Sequence, residues 1–118
     1  MPVIKVWCLP HDLTEEQLRE IHKGIVKAVE NVEILGIKGE QGMVTLFPKD
    51  MMSYGLGSEI VIEVSGLFEK IERTDAVRNE LACNLGAAVQ GVFPDAFVMC
   101  LIDSFNHEKG FWSSREYV

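Results

Sequence analysis

Apolar and polar positions along the chain run through the same order twice. Residues 3–9, "VIKVWCL", are rich in strand formers and predict a first strand, which "PHDL" interrupts. Leu18, Ile21, Ile25 and Val29 then recur at helical spacing, with Ala28 beside them, and predict an amphipathic helix reaching about residue 30. Its start is marked by Thr14 and Gln17, the Thr-x-x-Gln form of a capping box, with acids in the first turn. After the Gly-bearing connection "LGIKGEQG", "MVTLF" predicts a second strand, stopped by Pro48. "KDMMSYGLGSE" reads as a loop or turn. The order then begins again. "IVIEVSG" predicts a third strand, and Thr74 caps a helix in which Val77, Leu81, Leu85 and Val89 keep the same spacing. "FPD" breaks that helix, and "AFVMCLI" is a fourth, nearly all-apolar strand.

Strand–helix–strand taken twice predicts an α/β (α+β) fold: a double β-α-β with a four-stranded sheet and two helices on one face. Residues 1–118 form a single domain of two β-α-β halves, about 1–57 and 58–118, with right-handed crossovers expected. Two helices cover one sheet face only. Yet "IVIEVSG" and "AFVMCLI" carry apolar residues on both faces, so the second face must also be buried. The cover expected for it is another subunit. The tail "DSFNHEKGFWSSREYV" is mixed, with aromatics too frequent for a disordered end.

Charge narrows the partners. The net charge of −7 argues against non-specific nucleic-acid binding. A small anionic ligand would need a local cluster of Lys or Arg working against that global field. No apolar run approaches the roughly 18 residues of a membrane span, and no secretory leader is expected. Cys8, Cys83 and Cys100 are odd in number, far apart and set in apolar stretches, without a C-x-x-C pair. They read as reduced, buried thiols of a cytoplasmic protein rather than a disulfide framework or a zinc site. Neither a metal nor an organic cofactor is called for.

Pro2 raises a chemical question. If the initiator methionine is removed, Pro2 becomes a terminal secondary amine, able to act as a base or a nucleophile. If Met1 stays, its nitrogen is an amide and has no such capacity. Chance placement is the plain alternative, since proline makes up about 5% of average composition.

A double β-α-β chain with proline directly after the initiator methionine resembles the tautomerase superfamily. That group includes 4-oxalocrotonate tautomerase, macrophage migration inhibitory factor, malonate semialdehyde decarboxylase and the chloroacrylic acid dehalogenases. Three stretches carry the likeness: "MPVIKV" for the Pro-led strand, "FPKDMMSYGLGSE" for the Pro-Asp-x-x-Met-x-Phe-Gly-Gly-Ser segment, and "DSFNHEKGFWSS" for the Gly-Trp ending. Length and fused repeat look most like the branch of macrophage migration inhibitory factor.

The resemblance implies a homotrimer with pockets at the edges between subunits. In each, Pro2 is the general base, taking a proton α to a carbonyl of a small 2-oxo or unsaturated carboxylic acid and returning it along the conjugated system. Ile4, Val6 and Cys8 are expected to contribute apolar walls that lower the amine pKa. Lys38 lies near that branch's substrate-binding lysine. Its plainer reading is a solvated loop residue. Lys70 and Arg73, in "LFEKIERTD", lie where the decarboxylase and dehalogenase branches hold paired arginines. Interleaved with Glu69 and Glu72, they also read as a solvated cluster at a helix start. Tyr54 and Trp112 are substrate-binding candidates, Trp112 doubling as a subunit-packing anchor. His11, His22 and His107 read as surface imidazoles.

The sequence also departs from the family. Val98 and Cys100 stand near the Tyr and Asn that line the pocket in the migration inhibitory factor branch. Leu13 and Met43 stand near the two arginines of 4-oxalocrotonate tautomerase. These departures suit an alternative: a non-catalytic binding or assembly module, either on the same fold or on a ferredoxin-like one, whose strands are antiparallel.

Overall fold

The computed structural model describes residues 1–48 and 58–114. Strand β1 (Val3–Trp7) leads to helix α1 (Glu15–Glu30) and strand β2 (Val44–Leu46); β3 (Glu59–Phe68) leads to α2 (Asp75–Val92) and β4 (Phe97–Phe105). The sheet order is β2-β1-β3-β4. Each half pairs its own strands in parallel, β1 with β2 and β3 with β4, and the halves meet through the antiparallel pair β1–β3. This mixed sheet overturns the ferredoxin-like alternative, which needs antiparallel neighbours throughout.

Both helices start where their caps predict. The Thr14 hydroxyl accepts the Gln17 N–H at 3.1 Å, and the Gln17 side chain returns the favour to the Thr14 N–H at 2.8 Å. Thr74 accepts the Val77 N–H at 3.4 Å. The i, i+4 positions Ile21, Ile25 and Val29 of α1, and Leu81, Leu85 and Val89 of α2, are all buried against one sheet face. That face presents Ile4 and Val6 from β1 and Ile60, Ile62 and Val64 from β3, again buried. Each such side chain contributes about 1.5–3 kcal/mol by leaving water.

Strand limits differ from the sequence reading for identifiable reasons. β1 ends at Trp7 because Cys8 takes a left-handed backbone (φ 69°) that breaks the extended run. β3 does not stop at Gly66. A bulge there, with Gly66 at φ 72°, lets the strand continue to Phe68. β4 correspondingly extends through Asp103 and Ser104, residues that read as tail, because Ser104 and Phe105 pair with Leu67 and Phe68.

The other sheet face has no covering element among the described residues. Leu46, Phe97, Met99 and Leu101 are exposed on it. At its centre the Trp7 indole donates to Glu63 at 3.0 Å, and the Lys5 ammonium sits 5.8 Å from the Trp7 ring. No helix among the described residues is long and apolar enough to cross a membrane.

The thiols are less buried than expected. Cys8 and Cys100 are half-buried, and Cys83 is exposed because it lies two residues from both Leu81 and Leu85, on the far side of α2. Burial, with the neighbouring Cys83 second, pushes the Cys100 thiol up to about 11, so it stays protonated at neutral pH.

Candidate active site

Pro2 is buried at the start of β1. Its carbonyl accepts the Val44 N–H at 3.0 Å, and the next residue, Val3, pairs with Ser65. The chain before Val3 therefore runs beside the β3 bulge. A Cβ placed on Gly66 would lie 3.3 Å from the Met1 carbonyl oxygen, so Gly66 serves both the left-handed backbone and this close approach.

A cavity of about 850 Å³ opens around Met1 and Pro2. The α1–β2 connection supplies one wall, with Ile34, Leu35, Ile37 and Lys38. Phe68, at the end of β3, and Lys70, Glu72 and Arg73 beyond it supply the opposite wall. Ser113 and Ser114 complete the lining. The fold thus brings Pro2, Lys38, Lys70 and Arg73 to one cavity. Among the described lining residues, three cations stand with a single carboxylate, a local positive field in a chain of net charge −7.

Arg73 is not a solvated surface charge. Its two terminal nitrogens donate to the Phe68 carbonyl at 2.8 Å and the Leu35 carbonyl at 3.2 Å, and so join the two walls of the cavity. Its Nε is buried without a partner. No carboxylate among the described residues forms an ion pair with it, so its charge is left to act on the cavity. Burial lowers the guanidinium pKa, an effect that Glu72 opposes.

The terminal amine responds to this setting. Burial first, then Arg73, then Lys70 hold the Met1 amino group at about 6, against the ordinary value of 8.0. The setting therefore disfavours the ammonium form of the Met1 amine.

Other sequence candidates fall elsewhere. Ile4 and Val6 cannot be cavity walls, because strand alternation turns them into the core beneath the helices. Cys8 lies at the opposite end of β1 and lines a different cavity. The apolar walls are Ile34, Leu35, Ile37 and Phe68 instead. Trp112 is 82% exposed and does not line the cavity, although its neighbour Ser113 does. Tyr54, with the rest of 49–57, lies outside the described residues.

Sequence reasoning missed the aromatic cluster behind Phe68. His107 stacks on Phe68 at 4.6 Å between ring centroids, and Phe111 meets it edge-on at 5.0 Å. These contacts bring the segment after β4 back towards the cavity. The aromatic density of the tail was the available signal. His22 also has a role beyond solvation: its Nε2 lies 3.0 Å from Glu40, while Nδ1 is buried and unpartnered. His11 is exposed.

No protein-family model matches the sequence, and no curated protein matches it; the likeness to known proteins is one of structure. A fused 4-OT, solved as a wild type asymmetric trimer, is similar over 96% of this chain and 94% of its own, with a TM-score of 0.72 and 18% identity. A domain of unknown function from Sebaldella termitidis matches over 99% of this chain and 100% of its own, with a TM-score of 0.68 and 16% identity. Macrophage migration inhibitory factor of Toxoplasma gondii matches over 98% of both chains, with a TM-score of 0.67 and 16% identity. The four-stranded mixed sheet with two helices on one face is the fold that this chain shares with these proteins.

Proposed function

We propose that this chain is a cytoplasmic tautomerase-type enzyme acting on a small 2-oxo or unsaturated carboxylic acid, with Pro2 as its general base once Met1 is removed. The observation that carries this reading is the meeting of Pro2 with Lys38, Lys70 and Arg73 on one cavity. The causes that lower the pKa of the neighbouring Met1 amine (burial, Arg73 and Lys70) lie at the same cavity as Pro2 and support it. A neutral Pro2 nitrogen takes the proton from the carbon α to the substrate carbonyl, the electron pair moves onto the carbonyl oxygen, and the proton returns further along the conjugated system. Lys38 and Lys70, exposed at the cavity, hold the substrate carboxylate. Arg73, tied to two backbone carbonyls, contributes a fixed positive charge where the enolate develops. Tyr54, outside the described residues, and Trp112, outside the cavity lining, belong to the same reading as further substrate-contact candidates.

The assembly in this reading is a homotrimer. The exposed apolar residues Leu46, Phe97, Met99 and Leu101 give one sheet face a reason to be covered, and the fused 4-OT of the same fold is a trimer.

The test is Pro2→Ala, assayed on the enol of a 2-oxo acid such as phenylpyruvate after intact mass has confirmed that Met1 is absent. Turnover is expected to fall at least a hundredfold with the oligomer unchanged in light scattering. An unchanged rate would sink the proposal.

A further inference from the structure

The candidate active site is built from three parts: the start of a central strand, the helix-to-strand connection of the same half, and the segment that follows the other central strand. The fold supplies that set of parts a second time. A cavity of about 550 Å³ lies at the start of β3, against the α2–β4 connection and the segment following β1. Ser58, Glu59 and Ile60 stand where Met1 and Pro2 stand in the first cavity. Phe93 to Ala96 replace the α1–β2 connection, and Cys8 and Pro10 replace the residues after Phe68.

The second cavity is held firmly. The Gln90 side-chain amide reaches the carbonyls of Phe93, Pro94 and Ala96 at 2.9, 3.2 and 3.0 Å. The Phe97 N–H donates to the Ser58 carbonyl at 2.9 Å, fastening the connection to the start of β3. A preformed concavity of this kind binds without first being ordered.

Its chemistry is the reverse of the first. Lys38, Lys70 and Arg73 have no counterparts here among the described residues, whose lining carries the carboxylates Glu59 and Asp95 and no Lys or Arg. The rest of the wall is largely apolar, from Pro10, Ile60, Val92, Phe93 and Pro94. The net charge of −7 opposes anion entry to the first cavity but favours a cation at the second. We propose that this second cavity is a binding site for a small organic ammonium ion with an apolar body, the body resting on Val92 and Phe93 and the charge directed to Asp95.

The test is an amide NMR titration of the full chain with three molecules of one shape and different charge: benzylammonium, benzyl alcohol and benzoate. Benzylammonium is expected to give saturable shifts at residues 58–60 and 92–97, with benzyl alcohol at least fivefold weaker and benzoate absent from these residues. Asp95→Asn, an exposed position, is expected to weaken benzylammonium about fivefold, the scale of an exposed charge pair. Equal binding of the alcohol, no effect of Asp95→Asn, or ammonium-induced shifts confined to residues 34–38 and 68–73 would each overturn the assignment. The readout is binding at a separate cavity, so its outcome is independent of whether Pro2 catalyses.

Discussion

The two β-α-β halves are alike in the middle and unlike at their ends. Ile21, Ile25 and Val29 in α1 do the same work as Leu81, Leu85 and Val89 in α2, with the same spacing and the same burial. At the ends the correspondence stops. Thr14 and Thr74 cap their helices alike, yet the residue before the cap is Leu13 in one half and Arg73 in the other. One connection is tied across the molecule by a guanidinium, and the other is gathered locally by Gln90. A repeated architecture therefore fixes where cavities form, while single residues at the repeat ends decide their charge.

The core likeness predicts the largest effect. Ile25→Ala and Leu85→Ala should each lose about 3 kcal/mol in denaturant unfolding, within error of each other. A large inequality would mean that one half carries the fold. Arg73→Leu should make the first cavity resemble the second, losing about 2 kcal/mol with two charge-assisted hydrogen bonds to backbone carbonyls. In the chain that retains Met1 it should also raise the pKa of the Met1 amine, since a positive charge that disfavours the ammonium has gone. An NMR titration of that amine gives the direction, and a fall in pKa would contradict the electrostatic role. The smallest effect belongs to Gln90→Ala, which should lose about 1 kcal/mol and speed amide exchange near Phe93 to Ala96. The same exchange experiment should leave residues 34–38 unchanged, and coupled loosening there would show that the two ends are not independent.

Helices were legible in the sequence because their signals are local: a cap, an i, i+4 stripe and a breaker. The strands were legible in existence but not in extent. Gly66 reads as a stop, and only the partner strand turns it into a bulge; Asp103 and Ser104 read as tail until their pairing with β3 is known. The parallel pairing within each half followed from its β-α-β order, but the antiparallel meeting of β1 with β3 did not, being a property of the sheet rather than of any segment. In the candidate site, Pro2 was singled out from its position alone. Arg73 was obscured by its acidic neighbours, because its partners are backbone carbonyls that sequence does not display. The departure of Cys8 from the first cavity follows from strand length: Pro2 and Cys8 stand at opposite ends of β1, roughly 20 Å apart at strand rise.

The antiparallel seam between β1 and β3 has a consequence for how the protein is made. Val44 of its own half pairs with Val3 on one side, but Ser65 of β3 is its partner on the other, so an emerging chain holds β1 with one hydrogen-bonding edge vacant until the second half has left the ribosome. During that interval the nascent half is a template for strand addition, and the same edge could pair with β3 of another copy. Slow synthesis through the middle of the chain should therefore favour exchanged dimers over the closed single chain.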